Sequence, residues 1–239
     1  MTILANDKIA NGIYKMILSV DTSFISNQGQ FINITIDDRY LKRPISISEY
    51  NDTTLTIIYK VVGFGTKQLS EKKVNDTIEA IVALGNGFEV VNEKEVLLVG
   101  GGVGVPPLYG LSKELISKGI KPKVILGFAS KIDVFYEDKF KELGLETYVT
   151  TMDGSYGLKG HIGDAIKEYH LDNLYYYSCG PKRMLQTLME LSNAKGQLSF
   201  EARMGCGFGA CMGCSLETKD GYKRICKEGP VINSEEVIW

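Results

Sequence analysis

Four of the chain's five cysteines gather near its C-terminus as Cys206-x4-Cys211-x2-Cys214-x11-Cys226, in the run RMGCGFGACMGCSLETKDGYKRIC. Grouped thiols have four chemistries open to them: a structural disulfide, a zinc site, a thiol–disulfide couple, or an iron–sulfur cluster. Structural zinc favours paired C-x2-C knuckles, and only one such pair is present. A redox C-x-x-C motif belongs at a helix start after a strand, which this glycine-rich run does not offer. The order C-x4-C-x2-C…C is the spacing through which four thiolates hold a [2Fe–2S] cluster, two to each iron. Gly205, Gly207, Gly209 and Gly213 let the backbone curl tightly and aim amides at the sulfurs. The spacing therefore points to Cys206, Cys211, Cys214 and Cys226 as cluster ligands.

Two further groups of residues could hold phosphates. LKRPISISEY carries Arg43, Pro44, Ile45 and Ser46 at the start of a strand. An arginine there neutralises a diphosphate, and a serine with its strand backbone hydrogen-bonds a flavin ring. About fifteen residues later, VVGFGTKQLS places Gly65 and Thr66 at a helix start suited to an anion. Alone, R-P-x-S reads equally well as an ordinary kinked strand; followed by G-x-G-T and a nucleotide fold it gains force. In VLLVGGGVGVPPLYGL, a strand runs into glycines (Gly101, Gly102 and Gly104 among them) and then a helix, the arrangement that admits a pyrophosphate. Pro106 stands where the usual fingerprint has its third glycine. Cys179, in YYYSCGPKRM, ends a later strand and is expected near a nicotinamide ring rather than in the cluster; a buried packing role is the competing reading.

The elements needed to position these residues are legible. Residues 1–91 hold short runs rich in Ile, Val, Thr and Tyr: GIYKMILSV, GQFINITI, RPISISEY, TLTIIYKVVG and DTIEAIVALG, separated by turn signals. They predict an antiparallel β-barrel with one capping helix, GTKQLSEKK. Residues 92–196 alternate strand and helix four times, which predicts a parallel sheet flanked by helices. Residues 197–239 form a small C-terminal segment around the cysteines. The fold class is thus β + α/β.

The chain has 239 residues, a net charge of −2, 44% hydrophobic and 23% charged residues. That balance is globular and gives no reason to expect nucleic acid or an anionic membrane. The N-terminus lacks a basic start followed by an apolar core, and no apolar stretch is long enough for a bilayer. A cytoplasmic protein is expected, where a structural disulfide is disfavoured. His161 and His170 fall in or near a helix and read as surface residues.

Taken in order, R-P-x-S, G-x-G-T, GGGVGVPPL and CGP resemble the ferredoxin–NADP reductase superfamily. With EARMGCGFGACMGCSLETKDGYKRICKEGPVI the chain is similar over its whole length to the electron-transfer subunits of type B dihydroorotate dehydrogenases. The resemblance implies FAD, one [2Fe–2S] cluster, NAD, and a separate FMN-containing catalytic subunit in a heterotetramer of two of each. It implies that Arg43, Pro44, Ile45 and Ser46 contact the flavin and its diphosphate. It further implies that Ile58, Tyr59 and Lys60 line the flavin, that Gly65 and Thr66 hold its phosphates, and that the four cysteines ligate the cluster. Two departures stand out. The gap before Cys226 is short for the family, which predicts a trimmed hairpin, and Ile45 stands where many of the superfamily carry an aromatic residue. Electrons are expected to pass from the partner's FMN through the cluster and FAD to NAD⁺. The alternatives are the small subunit of a flavin-based ferredoxin–NAD(P) or sulfide oxidoreductase and, from another class, a zinc-stabilised nucleotide-binding module without redox activity.

Overall fold

The computed structural model describes residues 1–239. The first unit is an antiparallel sheet of β1 (Thr2–Ala10), β2 (Ile13–Ser19), β3 (Phe31–Ile34), β4 (Arg43–Tyr50), β5 (Thr54–Lys60) and β6 (Ala80–Leu84), with helix α1 (Phe64–Glu71) before β6. The strand order is β1-β2-β5-β4-β3-β6. Backbone bonds from Ile3 to Asp76 and from Ile78 to Met1, both 2.9 Å, join the first strand to the approach of the last and close the sheet. Closure removes exposed edges and encloses Met16, Leu18, Ile32, Ile34, Ile47, Leu55 and Ile57.

Strand β5 is buried on both faces. Leu55, Ile57 and Tyr59 point into the barrel, whereas Ile58 joins the core of the second unit. That two-sided burial explains the near-continuous apolar run LTIIY. Helix α2 (Val105–Ser117) lies directly on the barrel. A Cβ on its Gly110 would come within 2.3 Å of the Ser48 carbonyl, and the Ser48 hydroxyl donates to the Pro106 carbonyl at 3.2 Å.

The second unit starts with β7 (Glu95–Gly101) and α2. It continues with β8 (Lys121–Phe128), α3 (Glu137–Glu142), β9 (Glu146–Thr151), β10 (Leu158–Lys159), α4 (Ile162–Glu168), β11 (Tyr175–Cys179), α5 (Lys182–Leu191) and β12 (Gly196–Ser199). After them come the hairpin β13 (Ser215–Thr218) and β14 (Gly221–Arg224), then β15 (Val231–Asn233). The main sheet runs β10-β9-β8-β7-β11-β12-β15, parallel except for β15. The connections run outward on one side of β7 and then cross to β11 on the other. This reversal leaves a crevice beyond the strands' carboxyl ends, where such sheets bind ligands.

The last forty residues are more regular than their sequence suggests. β12 and β15 extend the parallel sheet from both sides of the cysteine run, so the sheet takes in strands on each side of the expected division at residue 197. Strand β1, whose polar residues Asn6, Asp7 and Lys8 obscure its alternation, is a second element the sequence pattern did not announce. No helix is long and apolar enough to cross a membrane.

Candidate redox site

The R-P-x-S strand and the G-x-G-T helix meet in space. A Cβ on Gly65 would lie 2.9 Å from Arg43 Nε, so the guanidinium rests on the glycine of the first turn of α1. Arg43 Nη1 donates to the Leu41 carbonyl at 2.7 Å, which anchors the side chain and leaves other N–H groups free. Charge, helix N-terminus and a surface without side chain are thereby brought together as an anion cradle. Thr66 serves this cradle from within. Its Oγ1 accepts from Val62 N at 2.9 Å and from Gly63 N at 3.3 Å, so the hydroxyl caps the turn.

Along β4, Ile45 and Ile47 pack toward the barrel core. Pro44 and Ser46 lie on the opposite face with Ser48, whose hydroxyl reaches α2. Ile45 is partly buried against the barrel core, so no aromatic platform stands at this position.

The glycine loop after β7 forms one wall of a cavity of about 600 Å³. Gly101, Gly102 and Val103 line it together with Phe128 and Thr150 from β8 and β9, Arg183 from α5, and Lys60 from the barrel. Gly102 has φ +51°, a conformation that suits glycine. Gly104 is needed for a different reason: a Cβ there would stand 2.1 Å from the Cys179 carbonyl oxygen.

Cys179 itself does not line the cavity. It is 3% exposed and packs in the core cluster beneath the loop, where burial pushes its thiol up to about 12. Such a thiol stays protonated at neutral pH, so Cys179 carries packing and loop support.

The four remaining cysteines fall into two pairs. Cys211 N donates to Cys206 Sγ at 3.4 Å, and Cys226 N donates to Cys214 Sγ at 3.4 Å. All five cysteines are free thiols, which removes the disulfide reading. Two thiol pairs in one loop instead match a binuclear cluster, whose irons take two thiolates each. The backbone suits anionic sulfur: the N–H of Cys211, then that of Phe208, holds the Cys206 thiol below its ordinary range. Burial raises the Cys226 thiol, so the positive charge of bound iron is what would keep it ionised.

The loop is tied down at two carbonyls. Asn33 Nδ2 donates to the Cys206 carbonyl at 3.4 Å, and Arg224 donates to the Gly209 carbonyl while pairing with Glu228. The short gap before Cys226 is the compact hairpin β13–β14.

Residues 201–238 match the family model described as the iron-sulfur cluster binding domain of dihydroorotate dehydrogenase B, and residues 98–190 match the oxidoreductase NAD-binding domain. A Fusobacterium nucleatum protein named dihydroorotate dehydrogenase B (NAD(+)), electron transfer subunit, is 45% identical over 99% of this chain and 96% of its own length. A Bacillus pumilus protein of the same name is 43% identical with the same coverage. The chain belongs to this family.

Solved structures place the family in a wider fold. The structure of an NADH-dependent reduced ferredoxin-NADP oxidoreductase superposes with TM-score 0.91 at 30% identity, covering 100% of this chain and 89% of that one. A Plasmodium falciparum ferredoxin-NADP+ reductase, 16% identical with TM-score 0.67 over 80% of this chain, shares the fold.

For the family's flavin-lining triplet the geometry divides the residues. Lys60 lines the cavity and Ile58 faces the α/β unit. The Tyr59 side chain points into the barrel, where its hydroxyl donates to Asn6 Oδ1 at 2.9 Å. Strand alternation makes this unavoidable, since neighbours face opposite sides.

Two residues were passed over by sequence reasoning. His161, exposed as expected of a surface residue, is also the N-cap of α4 and lines the cavity. Asp133 also lines it, with the Ser130 hydroxyl 3.4 Å from its carboxylate. Lone polar residues in loops carry no periodic signal, so only the fold brings them to the site. Lys131 is directed over the Tyr156 ring, 5.8 Å from its centroid.

Proposed function

We propose that this chain passes electrons between an FMN-containing, dihydroorotate-oxidising catalytic subunit and NAD⁺, serving pyrimidine synthesis. The observation that carries the reading is the pairing of Cys206 with Cys211 and of Cys214 with Cys226 inside the segment that matches the family's cluster-binding model. The chain is an NAD-dependent flavin and iron–sulfur oxidoreductase subunit that uses FAD, a [2Fe–2S] cluster and NAD. When bound, the flavin interconverts the two-electron chemistry of NAD and the one-electron chemistry of the cluster.

The chain's own residues supply binding, orientation and exclusion of water. Arg43, seated on Gly65, would neutralise the flavin diphosphate, with Thr66 keeping the helix start in shape. Arg43 and Ile45 share one face of β4 and Pro44 and Ser46 the other, and the motif would contact the flavin and its diphosphate from the start of the strand; Ile58 and Lys60 share one side of β5. Gly101 and Gly102 would bring backbone close to the dinucleotide pyrophosphate, with Gly104 letting the loop pack against β11. Asp133 on the cavity wall favours a ribose hydroxyl and repels a 2′-phosphate, which supports NAD over NADP. Cys206, Cys211, Cys214 and Cys226 would hold the cluster, in a loop whose Phe208 and Met212 are exposed.

A heterotetramer of two subunits of each kind, a cytoplasmic location, and a division into 1–91, 92–196 and 197–239 complete the proposal. The family name supports a catalytic partner subunit. Co-expression with a type B catalytic subunit, followed by assay of dihydroorotate-dependent NAD⁺ reduction, tests the reading. Flavin and broad iron–sulfur absorption with coupled turnover is the expected result. A colourless chain, or a coloured one that reduces NAD⁺ only from ferredoxin, would sink it.

A further inference from the structure

One buried polar side chain of the barrel reaches out of it to the cysteine loop. Asn33 sits in β3 between Ile32 and Ile34, is 1% exposed, and is cross-strand partner to Pro44 of the R-P-x-S motif. Its Nδ2 donates to the carbonyl of Cys206 at 3.4 Å. Its Oδ1 is buried with no hydrogen-bond partner. Turning the amide over would set that oxygen against the Cys206 carbonyl, so the amide nitrogen belongs where it is. An unpaired buried acceptor is destabilising, and an apolar side chain of similar size would avoid it. Gly207 fits flush against the same amide: its φ is +78°, and a Cβ there would lie 2.2 Å from Asn33 Nδ2.

We infer that Asn33 is a positioning residue, which fixes the peptide of the first cluster ligand against the strand pair that carries the flavin motif. The inference rests on the electron-transfer reading above. It assigns a cost in barrel stability to the registration of two cofactor sites, because electron passage falls steeply as the gap between centres grows.

The test uses the cofactor-loaded chain with Asn33→Leu and, from the loop side, Gly207→Ala, which leaves the barrel sequence intact. Three readouts are taken: cluster loss to an iron chelator followed by visible absorbance, the EPR line shape of the reduced cluster, and the unfolding midpoint of the cofactor-free chain. Both variants are expected to keep flavin and to lose the cluster about two- to tenfold faster, the range that corresponds to one hydrogen bond. Broadened EPR lines should accompany the loss, and the cofactor-free Asn33→Leu chain should unfold no earlier than wild type. A loss rate and line shape equal to wild type in Asn33→Leu overturn the inference whatever Gly207→Ala shows. If Asn33→Leu does not fold, the same result in Gly207→Ala overturns it. Wild-type chain that binds neither flavin nor cluster refutes the underlying reading instead.

Discussion

Gly104→Ala is a sensitive test of how the nicotinamide loop is built. The backbone at Gly104, φ −78° and ψ −11°, is one that alanine adopts freely, so no conformational strain enters. The obstacle is space. The new methyl would lie 2.1 Å from the Cys179 carbonyl oxygen, 2.4 Å from its carbon and 2.7 Å from Gly180 N. Ordinary contact for carbon is about 3.5 Å, so the overlap exceeds roughly 1 Å. None of the three atoms can rotate away: Cys179 is held in the ladder between Gly100 and Ser199. The loop and the start of α2 must retreat from β11, an overpacking that costs about 2–3 kcal/mol. Because the displaced loop is a cavity wall, affinity for NADH should fall about tenfold or more, each ~1.4 kcal/mol of lost contact being a factor of ten. Titration calorimetry with NADH, together with chemical denaturation, reads both numbers. The cluster spectrum should not change, since the cysteine loop is built from another segment. Gly102→Ala is the control: its Cβ meets nothing within 4 Å, and only the strain of φ +51°, about 1 kcal/mol, applies. Gly104→Ala binding NADH within twofold of wild type at unchanged stability would refute the close-approach argument.

Cys226→Ser should abolish the iron–sulfur absorption while flavin binding persists, because one iron loses a buried ligand; iron content per flavin checks it. Arg43→Gln removes the only cation seated on Gly65 and should weaken FAD retention about tenfold or more, measured by flavin release on dilution. Arg224 beside Glu228 holds that carboxyl down at about 2, below its ordinary 4.5. A depressed carboxylate stabilises the fold above pH ~4.5 and loses that contribution as pH falls toward ~2. With 34% of the Glu228 side chain in solvent, the pair contributes about 1 kcal/mol after screening. Glu228→Gln should therefore be less stable than wild type at neutral pH, with the difference vanishing near pH 2; a pH-independent difference in unfolding free energy would contradict this.

What could be read in the sequence followed periodicity and spacing. LTIIYK and EVLLVGG announced strands because burial on both faces demands continuous apolar residues, and both appear where expected. The cysteine order proposes Cys206, Cys211, Cys214 and Cys226 as a ligand set, but not that Cys206 lies beside Cys211 and Cys214 beside Cys226, which depends on the hairpin folding back. The meeting of Arg43 with Gly65 is likewise a product of strand order, since twenty-one residues lie between them. The resemblance groups Tyr59 with Ile58 and Lys60, and strand alternation divides them. His161, Asp133 and Asn33 are single polar residues whose surroundings are made by distant segments, so no local pattern could expose them.

The pairing of β12 with β15 bears on how the protein is assembled. These strands bracket the cysteine run, so the thirty-one residues between Ser199 and Val231 form a lariat whose neck is already tied by sheet hydrogen bonds. The entropy of bringing Cys226 back toward Cys206 is thus met by the sheet rather than by iron. Unlike small metal modules whose order rests on the metal alone, this segment has both of its ends held by hydrogen bonds of the main sheet. The cysteine run is thus a loop hung from a sheet and not a free tail.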